Sequence, residues 1–238
     1  MKQANKLIVV SGGSRGIGRA ILEQFGHEGF ELATCSRGEA QLQALKEHLG
    51  QVLPGTRLHT QVADLSKKED ALAFARYVQE LGLPVDVLVN NAGQFVPGQI
   101  QTEADGVLEQ LLATNLSSAY HLTRALLPAM KARGSGHIFT MCSTASLVPY
   151  TNGGSYCISK FALLGFTKVL RAELLDENIR VTAILPGATL TSSWEGVALP
   201  PERFMRAEDV ASAVWAAYSL SPQSVVEELL IRPQQGDL

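Results

Sequence analysis

The chain has 238 residues, 46% of them hydrophobic and 18% charged, which is enough for one large globular domain and outside the composition of disordered chains. A net charge of −3 with no run of Lys or Arg gives nucleic acid no electrostatic footprint, and the longest apolar stretches are strand-sized, too short to cross a membrane. Three cysteines (Cys35, Cys142, Cys157) without a CxxC pair, and five scattered histidines, give neither a disulfide framework nor a metal site.

The start, MKQANKLIVVSGG, lacks the apolar core and small-residue cleavage site of a signal peptide, so a cytoplasmic location is expected. Short β-rich apolar runs then alternate with longer stretches of helical periodicity. Strands are predicted near KLIVVSG, ELATCS, RLHTQV, VDVLVN, GHIFTMC, IRVTAIL and ELLIRP, seven in all, with about six helices between them. Right-handed crossovers put those helices on both faces. The expected fold is therefore α/β, a Rossmann-type doubly wound parallel sheet forming a single domain over residues 1–238, with its ligand crevice at the carboxyl ends of the strands.

The first strand runs into SGGSRGIG. Such a turn needs glycine for tight geometry and close backbone approach, and the following helix offers free amides to phosphate. Gly12, Gly16 and Gly18, with Ser14, Arg15 and Ile17 between them, are the candidate cofactor residues; the GxxxGxG spacing is longer than the common GxGxxG. Strand two ends in CSRG, where a preference for NAD usually shows an acid. Ser36 and Arg37 stand there instead, and Arg37 with Arg15 would pair a 2′-phosphate, which selects NADP(H) unless both arginines are plain surface charges.

Strand three leads to VADLS, where Asp64, beside Leu65, either accepts a hydrogen bond from the adenine amino group or caps a helix in competition with Ser66. Strand four ends in NNAG, and Asn91, Ala92 and Gly93 would pack closely over the cofactor, the amide side chains bracing neighbouring backbone. The amphipathic segment from Asp105 to Met130 contains Asn115, a residue that inside a helix often marks a bend.

Strand five ends at Ser143, and Tyr156 and Lys160 follow in YCISK on a helix expected from Ser155 to about Leu175. The i, i+4 spacing stacks phenol and ammonium on one helical face, an arrangement that makes a tyrosine a proton donor. Cys142 and Cys157 adjoin these residues; a redox role competes with the commoner role of a small buried filler. Strand six ends at Pro186 and Gly187. The irregular stretch from Gly187 to about Arg206, with Trp194 and Phe204 as apolar contacts, reads as a substrate lid or as a packed surface loop.

With SGGSRGIG, NNAG, Asn115 in ATNLS, Ser143, YCISK and PGATLT assembled, the chain resembles the short-chain dehydrogenase/reductase family over essentially its full length. Ser11 stands where the family commonly has Thr, and Ile158 where a smaller residue is frequent. The resemblance implies that Asn115, Ser143, Tyr156 and Lys160 form a catalytic tetrad. Tyr156 would give a proton to the substrate carbonyl oxygen, Ser143 would hydrogen-bond the same oxygen, Lys160 would also hold the nicotinamide ribose, and Asn115 would support a water relay. Thr189 and Thr191 could reach the nicotinamide carboxamide or be ordinary loop polarity.

In this family the helices over 105–130 and 155–175 pair between subunits, so a homodimer or homotetramer is implied. The run VVEELLIRPQQGDL and the short WEGV lid look similar to sepiapterin-reductase-like members, in which case Asp237 could bind the guanidine-like edge of a pterin; a solvated tail acid is the competing reading. Three functions compete: an NADPH-dependent reductase of a small ketone or diketone such as a pterin side chain, a 3-oxoacyl thioester reductase of lipid synthesis, and a nucleotide-binding regulator without chemistry.

Overall fold

The computed structural model describes residues 6–237 except 195 and 197. Seven strands, β1 (Leu7–Ser11), β2 (Glu31–Ser36), β3 (Leu58–Val62), β4 (Val85–Asn90), β5 (Gly136–Met141), β6 (Ile179–Pro186) and β7 (Glu228–Ile231), form one sheet in the order β3-β2-β1-β4-β5-β6-β7. Every pairing is parallel. All five residues of β1 are buried, as expected of a strand covered on both faces.

The helices are α1 (Gly16–His27), α2 (Glu39–Val52), α3 (Lys68–Glu80), α4 (Val107–Leu112), α5 (Ser118–Arg133), α6 (Gly154–Glu173) and α7 (Ala207–Tyr218). Alternation along β1 separates two cores. Ile8 and Val10 join Phe25 of α1, Leu45 of α2 and Val214 of α7 on one face, whereas Leu7 and Val9 join Phe74 of α3, Leu122 of α5 and Leu170 of α6 on the other. Fully burying side chains such as Phe25 and Phe74 contributes roughly 1.5–3 kcal/mol each.

The predicted helix over 105–130 is two helices in one line, α4 and α5, joined by a π-helical turn at Ala113–Ser117 with Asn115 at its centre. Asn115 thus marks a change of helical hydrogen bonding at the junction of α4 and α5. The strand order reverses between β1 and β4, so the connections leaving the carboxyl ends of these two strands run in opposite directions and leave a crevice between them. No helix among the described residues is long and apolar enough to cross a membrane.

Candidate active site

The turn after β1 is built by hydrogen bonds to the neighbouring strands. Ser11 Oγ donates to Val89 O (3.4 Å) and accepts from the amides of Asn91 and Ala92, both at 2.9 Å. Asn91 Nδ2 donates back to Ser11 O (3.0 Å) and Gly12 O (3.1 Å), which ties the NNAG segment to the glycine turn. Gly12 has φ +67 and a Cβ there would sit 3.2 Å from Ala92 Cα. A Cβ on Gly18 would meet Asn91 Nδ2 at 2.5 Å, so these glycines permit backbone closeness that no side chain allows.

Two residues that pattern reading passed over complete the turn. Gly13 N donates to Thr34 Oγ1 (2.9 Å), which in turn donates to Val10 O (2.7 Å). Thr34 is fully buried and such a hydroxyl needs a partner, but ELATCS carries no sign of where that partner lies.

A cleft of about 550 Å³ runs along this turn. Gly12, Ser14, Arg15, Gly16, Ile17 and Gly18 form one wall, Ser36, Arg37, Asp64 and Leu65 close its far end, and Asn91, Ala92 and Gly93 lie at the near end. Arg15 and Arg37 are exposed on the rim, and Ser14 Oγ reaches Ser36 Oγ at 3.3 Å. Gln41, at the start of α2, joins this end. Asp64 Oδ1 accepts from the amide (3.2 Å) and hydroxyl (2.8 Å) of Ser66; neither residue caps α3, whose preceding residue is Lys67.

Ile17, Asn91, Gly93 and Thr191 also line a second cavity of about 680 Å³, so the two spaces are continuous. Ser143, Tyr156, Lys160, Pro186, Gly187, Thr189, Trp194 and Asp237 all open onto it. Ser143 follows β5 and its Oγ accepts from Ala145 N (3.1 Å), which fixes the side chain at the strand end. Lys160 is buried, donates to Met141 O (2.8 Å), and holds its Nζ 5.8 Å from the Tyr156 ring centre. The Phe95 ring meets that of Tyr156 edge-on at 4.9 Å.

Asn115 is fully buried behind this cavity. Its Oδ1 accepts from Gln94 N (2.7 Å), and its Nδ2 donates to Gln94 O (3.0 Å) and to Ser159 Oγ (2.9 Å), which itself donates to Tyr156 O (2.7 Å). The side chain is thereby committed to joining the β4 end to α6. A Cβ on Gly93 would lie 3.4 Å from Asn115 Oδ1 and 3.6 Å from Lys160 Nζ. These are ordinary contact distances, so the backbone at Gly93 passes beside both groups.

Trp194 reaches the cavity, whereas Phe204 is buried behind Trp194, ring centres 5.0 Å apart, and does not itself line the cavity. Glu195 and Val197 of the predicted lid lie outside the described residues. Asp237 Oδ2 pairs with Arg232 Nε at 3.2 Å, and a Cβ on Gly187 would lie 2.8 Å from Asp237 Oδ1, so the tail brings this carboxylate against the floor of the cavity. Tyr150, Val148 and Pro149 line the same cavity and carry no signature in the sequence. Burial pushes the Cys142 thiol up to about 11, so it is protonated at neutral pH, and Cys157 is buried as well.

A glycine-lined crevice at the switch point of a doubly wound sheet, joined to a cavity presenting Ser, Tyr and Lys, defines a dinucleotide-linked oxidoreductase. The family model for short chain dehydrogenases matches residues 6–199, and the chain belongs to that family, whose members interconvert CH–OH and C=O groups. A sepiapterin reductase of Chlorobaculum tepidum is 32% identical over 98% of this chain and 98% of that protein. Among solved structures, an alcohol dehydrogenase from the archaeon Thermococcus sibiricus, complexed with 5-hydroxy-NADP, superposes with a TM-score of 0.89 at 28% identity over 96% of this chain and 97% of that one. L-sorbose reductase from Gluconobacter frateurii, complexed with NADPH and L-sorbose, gives 0.88 at 28% identity over 97% and 96%.

Proposed function

We propose that this protein is a cytoplasmic NADPH-dependent reductase of small ketones or diketones, a pterin side-chain ketone included. The observation that carries the reading is that Ser143, Tyr156 and Lys160 open on one cavity continuous with the glycine-lined cleft. The cleft fits NADP(H): Gly12 and Gly18 let the turn close against Ala92 and Asn91, Gly12, Gly16 and Gly18 line the cleft where a pyrophosphate would lie, and Arg15 and Arg37 stand where a 2′-phosphate would need cations. NADPH, when bound, supplies the hydride.

The protein residues handle the proton and the carbonyl. Tyr156 donates its phenolic proton to the carbonyl oxygen, and the Lys160 ammonium favours the phenolate that is left. Ser143 donates a hydrogen bond to the same oxygen, holding the carbonyl in place and stabilising its developing charge. Lys160 spends one of its three donors on Met141 O and keeps the others for the nicotinamide ribose. Thr189 and Thr191 serve the carboxamide. Asn115 acts through the backbone it holds, keeping the relay beside Lys160 in place.

Asp237, held against Gly187 by Arg232, offers a carboxylate to a substrate edge rich in N–H donors, which is the chemistry of a pterin. From the predicted lid, Trp194 faces the cavity and is braced from behind by Phe204. Tyr120 of α5 and Phe161 and Val169 of α6 are exposed apolar side chains on the helices that would pair in a homodimer or homotetramer. The test is NADPH consumption against sepiapterin, butane-2,3-dione and a 3-oxoacyl thioester, with Tyr156→Phe as control. Turnover of sepiapterin or the dione, abolished in the control, supports the proposal. Turnover of the thioester alone would reassign the substrate, and an active Tyr156→Phe protein would remove the acid from the mechanism.

A further inference from the structure

Helix α6 carries both Tyr156 and Lys160, yet it begins without the usual means of satisfying its first amides. Its N-cap, Gly153, has no side chain to offer and its first turn contains no acid. The missing acceptor comes from 52 residues upstream. Glu103, in the loop between β4 and α4, takes the Ser155 amide on Oε1 at 2.9 Å and the Ser155 hydroxyl on Oε2.

The surrounding backbone is shaped to this contact. A Cβ on Gly98 would lie 2.6 Å from Glu103 Cγ, and one on Gly154 would overlap Glu103 Oε1. Gly98 bridges to Gly153, and its amide donates to Asn152 O at 3.0 Å. The same loop begins at Gln94, bound by Asn115, and at Phe95, whose ring meets Tyr156. The loop thus touches α6 on both sides of the tyrosine: Phe95 at the ring and Glu103 at the residue before it. A carboxylate is also the favoured charge at the positive end of a 20-residue helix.

We infer that Glu103 is a positioning residue for the reaction: by capping α6 in trans through Ser155 it sets the placement of Tyr156 relative to the substrate carbonyl. The inference rests on the reductase reading above and adds a residue that touches neither substrate nor cofactor. Misplacing a reacting group by about 1 Å costs on the order of 100-fold in rate, so losing the cap should appear in turnover and not in cofactor affinity.

The experiment compares Glu103→Ala, Glu103→Asp and Glu103→Gln with the wild-type protein, using kcat and KM on the carbonyl probe the wild type reduces, NADPH affinity by fluorescence titration, and thermal midpoints. Glutamine can keep both contacts, its amide oxygen accepting from Ser155 N and its amide nitrogen donating to Ser155 Oγ, whereas aspartate is one methylene too short. Glu103→Ala and Glu103→Asp should therefore lower kcat by about 10- to 100-fold with KM and NADPH affinity nearly unchanged, and Glu103→Gln should restore kcat to within about 3-fold of wild type. Alanine and aspartate variants that keep wild-type kcat would overturn the inference and leave the reductase reading standing. So would a loss of kcat shared equally by the glutamine variant, or one accompanied by a parallel loss of NADPH affinity. A wild-type protein that oxidises NADPH with none of the probes would instead refute the reductase reading and this inference with it.

Discussion

Replacing Lys160 by Met removes a buried ammonium while keeping most of the side-chain volume, and isolates its electrostatic role. Taking the 5.8 Å from Nζ to the centre of the Tyr156 ring as the charge separation, the attraction between an ammonium and a phenolate at an effective dielectric of about 20 is about 3 kcal/mol. The dielectric is appropriate because Lys160 is only 6% exposed. If the proton has largely left the phenol in the transition state, the loss corresponds to about a 100-fold lower kcat. Part of the fall would come from the Met141 carbonyl, which loses its 2.8 Å donor. The assay is kcat at saturating NADPH, with cofactor affinity measured separately by fluorescence, because Lys160 also serves the ribose in the proposed mechanism. A Lys160→Met enzyme within about 3-fold of wild-type kcat would refute the claim that the ammonium stabilises the phenolate.

Arg37→Asp should weaken NADPH binding by about 10- to 100-fold, the worth of a charge-assisted contact to phosphate, and shift the NADPH:NADH preference toward NADH; unchanged selectivity in a titration would remove Arg37 from the 2′-phosphate site. Thr34→Val leaves Gly13 N without its 2.9 Å acceptor and should cost about 1–3 kcal/mol by chemical denaturation, together with a loss of NADPH affinity. His137 is fully buried, with Nε2 at 2.8 Å from Thr182 Oγ1, and burial pushes it down to about 2, reinforced by Arg180. Below about pH 6.5 the unfolded chain takes up a proton at this histidine that the folded protein refuses, so acid favours unfolding. This one group should remove about 2 kcal/mol of stability between pH 7 and pH 5, and a His137→Gln variant should show a correspondingly flatter urea midpoint over that interval.

The parts of the fold that could be read in advance share one property: they are local. Most of the strands are short apolar runs whose identity follows from their own residues and their flanking turns, as in LIVVS before the glycine turn and VDVLVN before NAG. The i, i+4 relation of Tyr156 and Lys160 belongs to one helix and needs no tertiary information. The cap on α6 was not readable in this way, because the sequence around Gly153 shows only a missing acceptor and no sign of where one would be found. The same holds for Thr34 beneath Gly13, 21 residues apart, and for Phe95 against Tyr156. Phe204 showed the converse: an aromatic in the lid segment looks the same in sequence whether it faces the cavity or supports Trp194 from behind.

The sequence by itself determined the alternation of strands and helices, the glycine turn, the residue types of the catalytic helix and the family to which the chain belongs, since each depends on backbone preference and short-range spacing. Tertiary structure alone decided that Asn115 binds the loop after β4, that Glu103 caps the helix carrying Tyr156, and that the tail brings Asp237 against Gly187 in the cavity. Those pairings form only when distant segments converge at the carboxyl edge of the sheet, where a buried polar group must find its partner across space and not along the chain.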